Sequence, residues 1–173
     1  MAHRISLREF QEQLAQRLAH SQGNERRSLL AFEAGSQRWL IDLADTHEVL
    51  PVPPSSAVPL SHNWFRGLTN VRGTLYGIVD WSRFHADEPI GADGAARIVL
   101  LHARHGVGCG LLVSRTSGLR SADDFTPDSN TDEAFQPWVS AVMRDDADQP
   151  WLHMDVARLI RQPEFLDAGR GTR

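Results

Sequence analysis

The chain of 173 residues contains one cysteine, one tyrosine and no lysine, so that all 18 basic residues are arginines. A single cysteine, Cys109, excludes an intramolecular disulfide and a cysteine-based zinc site, and it fits a reducing compartment. No apolar run approaches the roughly 18 residues that a membrane span requires. Residues 1–10 contain charged side chains and no apolar centre, unlike a signal peptide. The sequence therefore predicts a cytoplasmic protein without direct membrane insertion.

Charged residues are spread along the chain without a basic stripe. The formal net charge is −4, and the most acidic segment, residues 121–148, holds eight acidic residues and one arginine. Residues 28–120 hold as many arginines as acidic residues. A nucleic-acid-binding protein carries a clustered basic face as its electrostatic footprint. Its absence predicts no nucleic-acid partner, which leaves a protein or a small ligand.

The first 27 residues are predicted to form an amphipathic helix and a linker. Ser6 followed three residues later by Glu9 is a capping-box signal. Apolar residues then recur at helical spacing, at positions Leu7, Phe10, Leu14 and Leu18. Two interpretations stay open: this apolar face packs against its own domain, or it binds a partner or a second copy.

From Ser28 onward the spacing of apolar residues becomes that of short strands. The predicted strands are Leu29 to Ala34, Arg38 to Leu43, Thr46 to Leu50, Leu75 to Val79, Arg97 to Ala103, Cys109 to Ser114, Trp138 to Met143 and Trp151 to Met154. A single helical turn is predicted for Ser61 to Arg66, and another short turn or helix for Trp81 to Phe84. Many short strands with helices only at the two ends predict a mainly β fold of the barrel or sandwich type.

Two breaks divide this β-rich region. Four prolines fall within residues 51–59, which must be an extended connection because proline disrupts helix interiors and central strands. A second break covers residues 89–94. The predicted parts are a first barrel at about residues 28–88, a second barrel at about 95–154, a mobile acidic loop at 121–136, a C-terminal helix at 155–165 and a tail at 166–173.

No catalytic motif is present, and the protein is predicted not to be an enzyme. His102 and His105 straddle a predicted turn without an acidic third ligand nearby, so we interpret them as turn residues and predict no metal site. Cys109 begins a predicted strand and has no histidine placed beside it by spacing, which indicates a buried thiol. An enzyme that uses the two histidines and the acidic loop stays a disfavoured alternative.

The most informative motif is Gly67-Leu-Thr-Asn70-Val-Arg72-Gly73, which leads into a strand ending at Asp80. Two glycines six residues apart predict a sharp bend where a side chain would clash. Two interpretations of Arg72 stay open. Its guanidinium binds a carboxylate across the turn, for instance that of Asp80 or Glu48, or it lies in a partner interface.

Together with Leu40-x-Asp42 and Glu48-Val49, this motif resembles the CheW-like adaptor family of bacterial chemosensory systems. The resemblance covers residues 28–165 and is greatest for members that serve type IV pili and twitching motility. It implies two five-stranded SH3-like barrels around a shared core, with an added N-terminal helix and a short C-terminal helix.

The resemblance also implies a function and its residues. Members of the family are scaffolds without a cofactor, which join the regulatory domain of a CheA-type histidine kinase to the cytoplasmic tip of a methyl-accepting chemoreceptor in polar, membrane-associated arrays. The residues that match the binding motif are Glu48, Gly67, Asn70, Arg72 and Gly73. The alternative function is a small-ligand or peptide-binding β-barrel without a kinase partner.

Overall fold

Eleven strands in two sheets form the framework of the computed structural model, which describes residues 27–85, 87–91, 94–128 and 135–169. The strands are β1 (Ser28–Ala34), β2 (Gln37–Asp42), β3 (Thr46–Pro51), β4 (Phe65–Val71), β5 (Thr74–Asp80), β6 (Arg97–Leu101), β7 (Cys109–Val113), β8 (Arg115–Ser121), β9 (Thr126–Pro127), β10 (Val139–Arg144) and β11 (Pro150–Met154). The helices are α1 (Trp81–Phe84), α2 (Val156–Leu159) and α3 (Pro163–Leu166). None of these helices is long and apolar enough to span a membrane. The prediction of a mainly β fold is confirmed.

Each sheet takes strands from both halves of the chain. One sheet has the order β8-β1-β2-β11-β10-β9, and the other has the order β3-β6-β7-β5-β4. The structure therefore differs from the predicted division into barrels at residues 28–88 and 95–154. The hairpin β1-β2 joins the C-terminal strands through a parallel pairing in which Trp39 faces Leu152. A pairing between residues so far apart in sequence leaves no trace in the spacing of apolar residues.

Two hairpins formed by neighbouring predicted strands are present, whereas β4 (Phe65–Val71) and β8 (Arg115–Ser121) were not predicted as strands. Strands β1 and β2 pair in antiparallel fashion around the turn at residues 35–36, and β6 pairs with β7. The predicted helical turn at Ser61 to Arg66 is wrong, because β4 already begins at Phe65.

Three predictions for the C-terminal third need correction. The predicted loop at 121–136 contains a capped 3-10 turn, Ala122–Asp124, and the short strand β9, while its residues 129–134 lie outside the described residues. The single helix predicted at 155–165 is two short helices, because Pro163 disfavours a helical conformation at the preceding residue. The predicted tail begins inside α3, and the backbone N–H of His62 donates to the carbonyl of Ala168 (2.8 Å). The helix predicted within residues 1–27 lies outside the described residues, except for Arg27.

A cluster of aromatic side chains lies within the main hydrophobic core. Trp39, Trp81 and Trp138 are each at most 3% exposed and surround His85, with ring centroids 4.8, 4.4 and 5.7 Å from the imidazole. Burial lowers the pKa of His85 to about 4, so the ring is neutral in the folded protein at neutral pH.

The buried imidazole predicts that stability falls on mild acidification. An unfolded chain takes up a proton at His85 near pH 6.5, whereas the folded protein does so only near pH 4, so stability is lost as the pH falls between these values. The expected loss is about 3 kcal/mol. Urea unfolding at pH 7.5 and pH 4.5 measures it, with His85→Phe as the control that keeps a ring but cannot titrate. Parallel losses in both proteins would contradict the prediction.

Candidate functional site

The five-stranded sheet closes on itself through the chain that follows β3. Strands β3 and β4 are its two edges. Beyond β3, the N–H of Ser56 donates to the carbonyl of Leu68 (2.8 Å), and the N–H of Leu68 donates to the carbonyl of Ser56 (2.9 Å). The hydroxyl of Thr69 donates to the carbonyl of Pro54 (2.8 Å). The proline-rich connection therefore runs in an extended conformation along β4 and brings the ends of β3 and β4 to one side of the molecule.

Gly67 lies at this closure. Its φ is +117°, and a Cβ atom built on it would lie 2.1 Å from the carbonyl oxygen of Ser56. Only glycine fits both the backbone conformation and the space. The predicted clash is therefore present at Gly67, but the predicted bend is not, because Gly67 lies within β4 beside a shift in register with β5.

The bend lies at the other end of the motif. Arg72 (φ 51°) and Gly73 (φ 89°) form the two-residue connection between β4 and β5. Two positive φ values are the requirement of a type I′ hairpin turn, whose twist matches that of the strands. The side-chain oxygen of Asn70 accepts a hydrogen bond from the N–H of Gly73 (2.8 Å). This hydrogen bond and the paired strands on either side of the turn fix the backbone that carries Arg72.

Arg72 binds one of the two carboxylates considered from sequence. Its guanidinium lies 2.7 Å from Glu48 on β3, with side-chain exposures of 77% and 27%. Asp80 instead is fully buried, accepts from the N–H of Arg83 at the start of α1 (3.2 Å) and lies 3.9 Å from the guanidinium of Arg66. Burial raises the pKa of Asp80 above its ordinary value. The structure therefore pairs Arg72 with Glu48.

The ion pair forms part of an exposed surface that can bind a partner. Leu75 pairs with Asn70 in the hairpin and is 58% exposed, so an apolar side chain lies close to the turn that carries the charged pair. We call Glu48, Asn70, Arg72, Gly73 and Leu75 the hairpin surface. Leu75 was missed from sequence, because an apolar residue in a strand is normally assigned to the core.

The histidines of the β6-β7 connection have a structural partner that the sequence did not reveal. Nε2 of His105 lies 2.9 Å from the carboxylate of Asp45, which also binds Arg104. Nδ1 of His102 accepts from the N–H of Arg104 (3.1 Å). These contacts tie the turn to the 3-10 turn Leu43–Asp45. No group of three or more metal-ligating side chains occurs in the part of the chain that the structure describes.

Cys109 lies at the start of β7 and is 7% exposed. Burial raises the pKa of its thiol to about 12, so the thiolate that a nucleophile requires does not form at neutral pH. This placement agrees with the interpretation of Cys109 as a buried thiol.

Comparison with known proteins gives consistent matches. The model of the CheW-like domain family matches residues 28–164. Protein PilI of Pseudomonas aeruginosa is 28% identical over 141 residues, which cover 80% of this chain and 78% of that protein. A probable chemotaxis protein CheW of Rhizobium etli is 31% identical over 113 residues, 64% of this chain and 66% of that protein. The crystal structure of the scaffolding protein TtCheW from Thermoanaerobacter tengcongensis has the same fold, with a TM-score of 0.67 at 17% identity, over 80% of this chain and 95% of that one.

Proposed function

The chain belongs to the CheW-like domain family, and from that premise we propose that it is a non-catalytic adaptor between methyl-accepting chemoreceptors and a CheA-type histidine kinase. Its similarity to PilI extends the proposal to a chemosensory system that controls type IV pilus motility. The two partners are the regulatory domain of the kinase and the cytoplasmic tip of the receptor. The adaptor works at receptor arrays on the membrane, to which its partners recruit it.

The observation that carries the proposal is the Glu48–Arg72 pair on a rigid hairpin. A receptor tip is a helical hairpin, and a charged pair beside an apolar side chain can set its register while Leu75 contributes contact area. Because the turn already holds the Arg72 backbone, little conformational entropy is lost there on binding. In this proposal Glu48, Gly67 and Arg72 belong to the receptor site. Glu48 and Arg72 contact the receptor, and Gly67 permits the barrel closure that brings these two residues together. Asn70 and Gly73 hold the turn.

The placement of the cysteine supports an adaptor over an enzyme. Cys109 is buried and protonated. A catalytic nucleophile needs both exposure and an adjacent base. Cys109 does not meet that requirement.

Binding of the full chain to both partners tests the proposal. The chain is immobilised and exposed separately to the regulatory domain of the CheA-type kinase and to a receptor-tip hairpin from the same cell. Saturable binding to each is expected, and a ternary complex should form when all three are mixed. A folded chain that binds neither partner would contradict the adaptor function and favour the ligand-binding barrel.

A further inference from the structure

Three polar side chains from three strands meet beside a cavity at one end of the six-stranded sheet. The cavity has a volume of about 480 Å³, and Asp42, Ser140 and His153 all line it. They belong to β2, β10 and β11, and the pairing of these strands places them next to one another. No sequence motif joins the three residues, because they meet only once the sheet has formed.

The three side chains form a chain of contacts. Oγ of Ser140 lies 2.9 Å from Nδ1 of His153, and Nε2 of the same ring lies 3.5 Å from Oδ1 of Asp42. The other oxygen of Asp42 lies 3.0 Å from the guanidinium of Arg27, which leaves Oδ1 for the imidazole. With the ring hydrogen on Nε2, facing the carboxylate, Nδ1 accepts from the serine hydroxyl. A nucleophile, a base and an orienting carboxylate thus stand in the order that activates a serine.

Ser140 is placed for attack on a molecule in the cavity. It is exposed, and it is the extra residue of a β-bulge, because the register of β10 against β11 shifts between Val139 and Ala141. Bulges redirect side chains and are frequent beside active sites. The hydroxyl can also donate to the backbone carbonyl of His153 (3.1 Å). Rotation about the C–O bond of the serine is therefore enough to move its hydrogen from that carbonyl to Nδ1.

We propose that Ser140 is a modification site that accepts one acyl group from an activated ester, with His153 as general base and Asp42 as the residue that positions the imidazole. Oγ of Ser140 attacks the ester carbonyl carbon and forms a C–O bond, while Nδ1 of His153 takes the hydroxyl proton. The bond from that carbon to the leaving oxygen breaks, and the leaving oxygen takes the proton from Nδ1. The products are an acyl-serine, an alcohol and the neutral imidazole. A single modification requires no turnover and is compatible with the adaptor function.

The lining of the cavity indicates the kind of acyl group. Leu29, Ala141, Met143 and Met154 supply apolar surface beside the polar residues. The cavity volume of about 480 Å³ lies within the range of small-molecule sites. A short apolar acyl chain therefore matches the cavity.

Acetylation of the full chain by p-nitrophenyl acetate tests the proposal, with Ser117 as the internal reference. Ser117 is also exposed, but it lies on the edge strand β8. Mass spectrometry of the digested protein gives the acetylation rates of both serines in the same sample. Ser140 is expected to react at least about 100-fold faster, the lower end of what a general base contributes. In urea the strands separate, and the two rates should become equal. Equal rates in the folded protein would overturn the proposal.

Two variants examine the roles of His153 and Asp42. His153→Gln keeps a hydrogen-bonding side chain but removes the base, so acetylation of Ser140 should fall to the rate of Ser117. Asp42→Asn removes the charge that orients the imidazole, so a smaller loss at Ser140 is expected. Neither variant should change the rate at Ser117 or the tryptophan fluorescence spectrum, which reports the fold.

Two further results would contradict the proposed role of Ser140. An unchanged rate at Ser140 in folded His153→Gln would show that these hydrogen bonds only join strands, and would overturn the proposal. An acetyl group found on His153 in place of Ser140 would also overturn it. Where a variant does not fold, the comparison of Ser140 with Ser117 in the unchanged chain decides the question.

Discussion

Replacing Gly67 with alanine is expected to lower the free energy of unfolding by roughly 2–5 kcal/mol. Two physical effects add. A φ of +117° is unfavourable for any residue with a Cβ, and the new Cβ would meet the carbonyl oxygen of Ser56 at 2.1 Å. The obstacle is backbone, which cannot rotate away as a flexible side chain would. The Ser56–Leu68 hydrogen bonds that close the barrel must therefore lengthen or break. Urea unfolding of the full chain measures the loss.

Gly73→Ala separates the two effects. Gly73 also has a positive φ, +89°, but nothing lies within 4 Å of a Cβ built there. Only the backbone cost of roughly 1–2 kcal/mol is expected for this variant. Equal losses for the two variants would show that the barrel closure adapts to a side chain at Gly67. In that case the close approach of Ser56 would not explain why glycine is required at this position.

Arg72→Ala is expected to weaken binding of the receptor-tip hairpin at least tenfold. In the free chain the Arg72 side chain is 77% exposed on a fixed turn. A charge that becomes buried at the centre of an interface on binding contributes strongly to affinity. The thermal midpoint should change little. An exposed ion pair contributes only about 0–1 kcal/mol, and alanine meets the same backbone requirement at φ 51° as arginine does. Titration calorimetry and thermal unfolding measure the two quantities on the same sample.

Arg115→Ala is the matched control for this variant. Arg115 pairs with Glu33 at 2.9 Å on the other sheet, and the exposures of the two side chains, 63% and 23%, are close to those of the Arg72–Glu48 pair. The control should leave receptor binding unchanged. Equal weakening by both variants would indicate a general effect of net charge. Unfolding of Arg72→Ala would show that Arg72 is structural, and would contradict its placement in the receptor site.

Only part of the candidate site could be predicted from sequence. The spacing of Gly67, Asn70, Arg72 and Gly73 identified the motif, and the turn chemistry placed Arg72 on a rigid bend. The choice of Glu48 over Asp80 as its partner could not be made, because both are acidic and no local pattern links either of them to Arg72. The partner of His105, Asp45, was missed altogether. It lies 60 residues away in sequence, and no local pattern links the two.

The sequence by itself determined the elements whose causes are local. Periodic apolar residues specified most of the strands, but not β4 or β8, and short connections specified the hairpins β1-β2 and β6-β7. Prolines specified the extended connection after β3. Tertiary structure alone decided how β1 and β2 join the C-terminal strands, where the barrel closes on Gly67 and which carboxylate binds Arg72. The physical reason is the range of the forces involved. Backbone preferences and periodic burial act over a few residues, whereas sheet order and side-chain pairing depend on packing between segments that are distant in sequence.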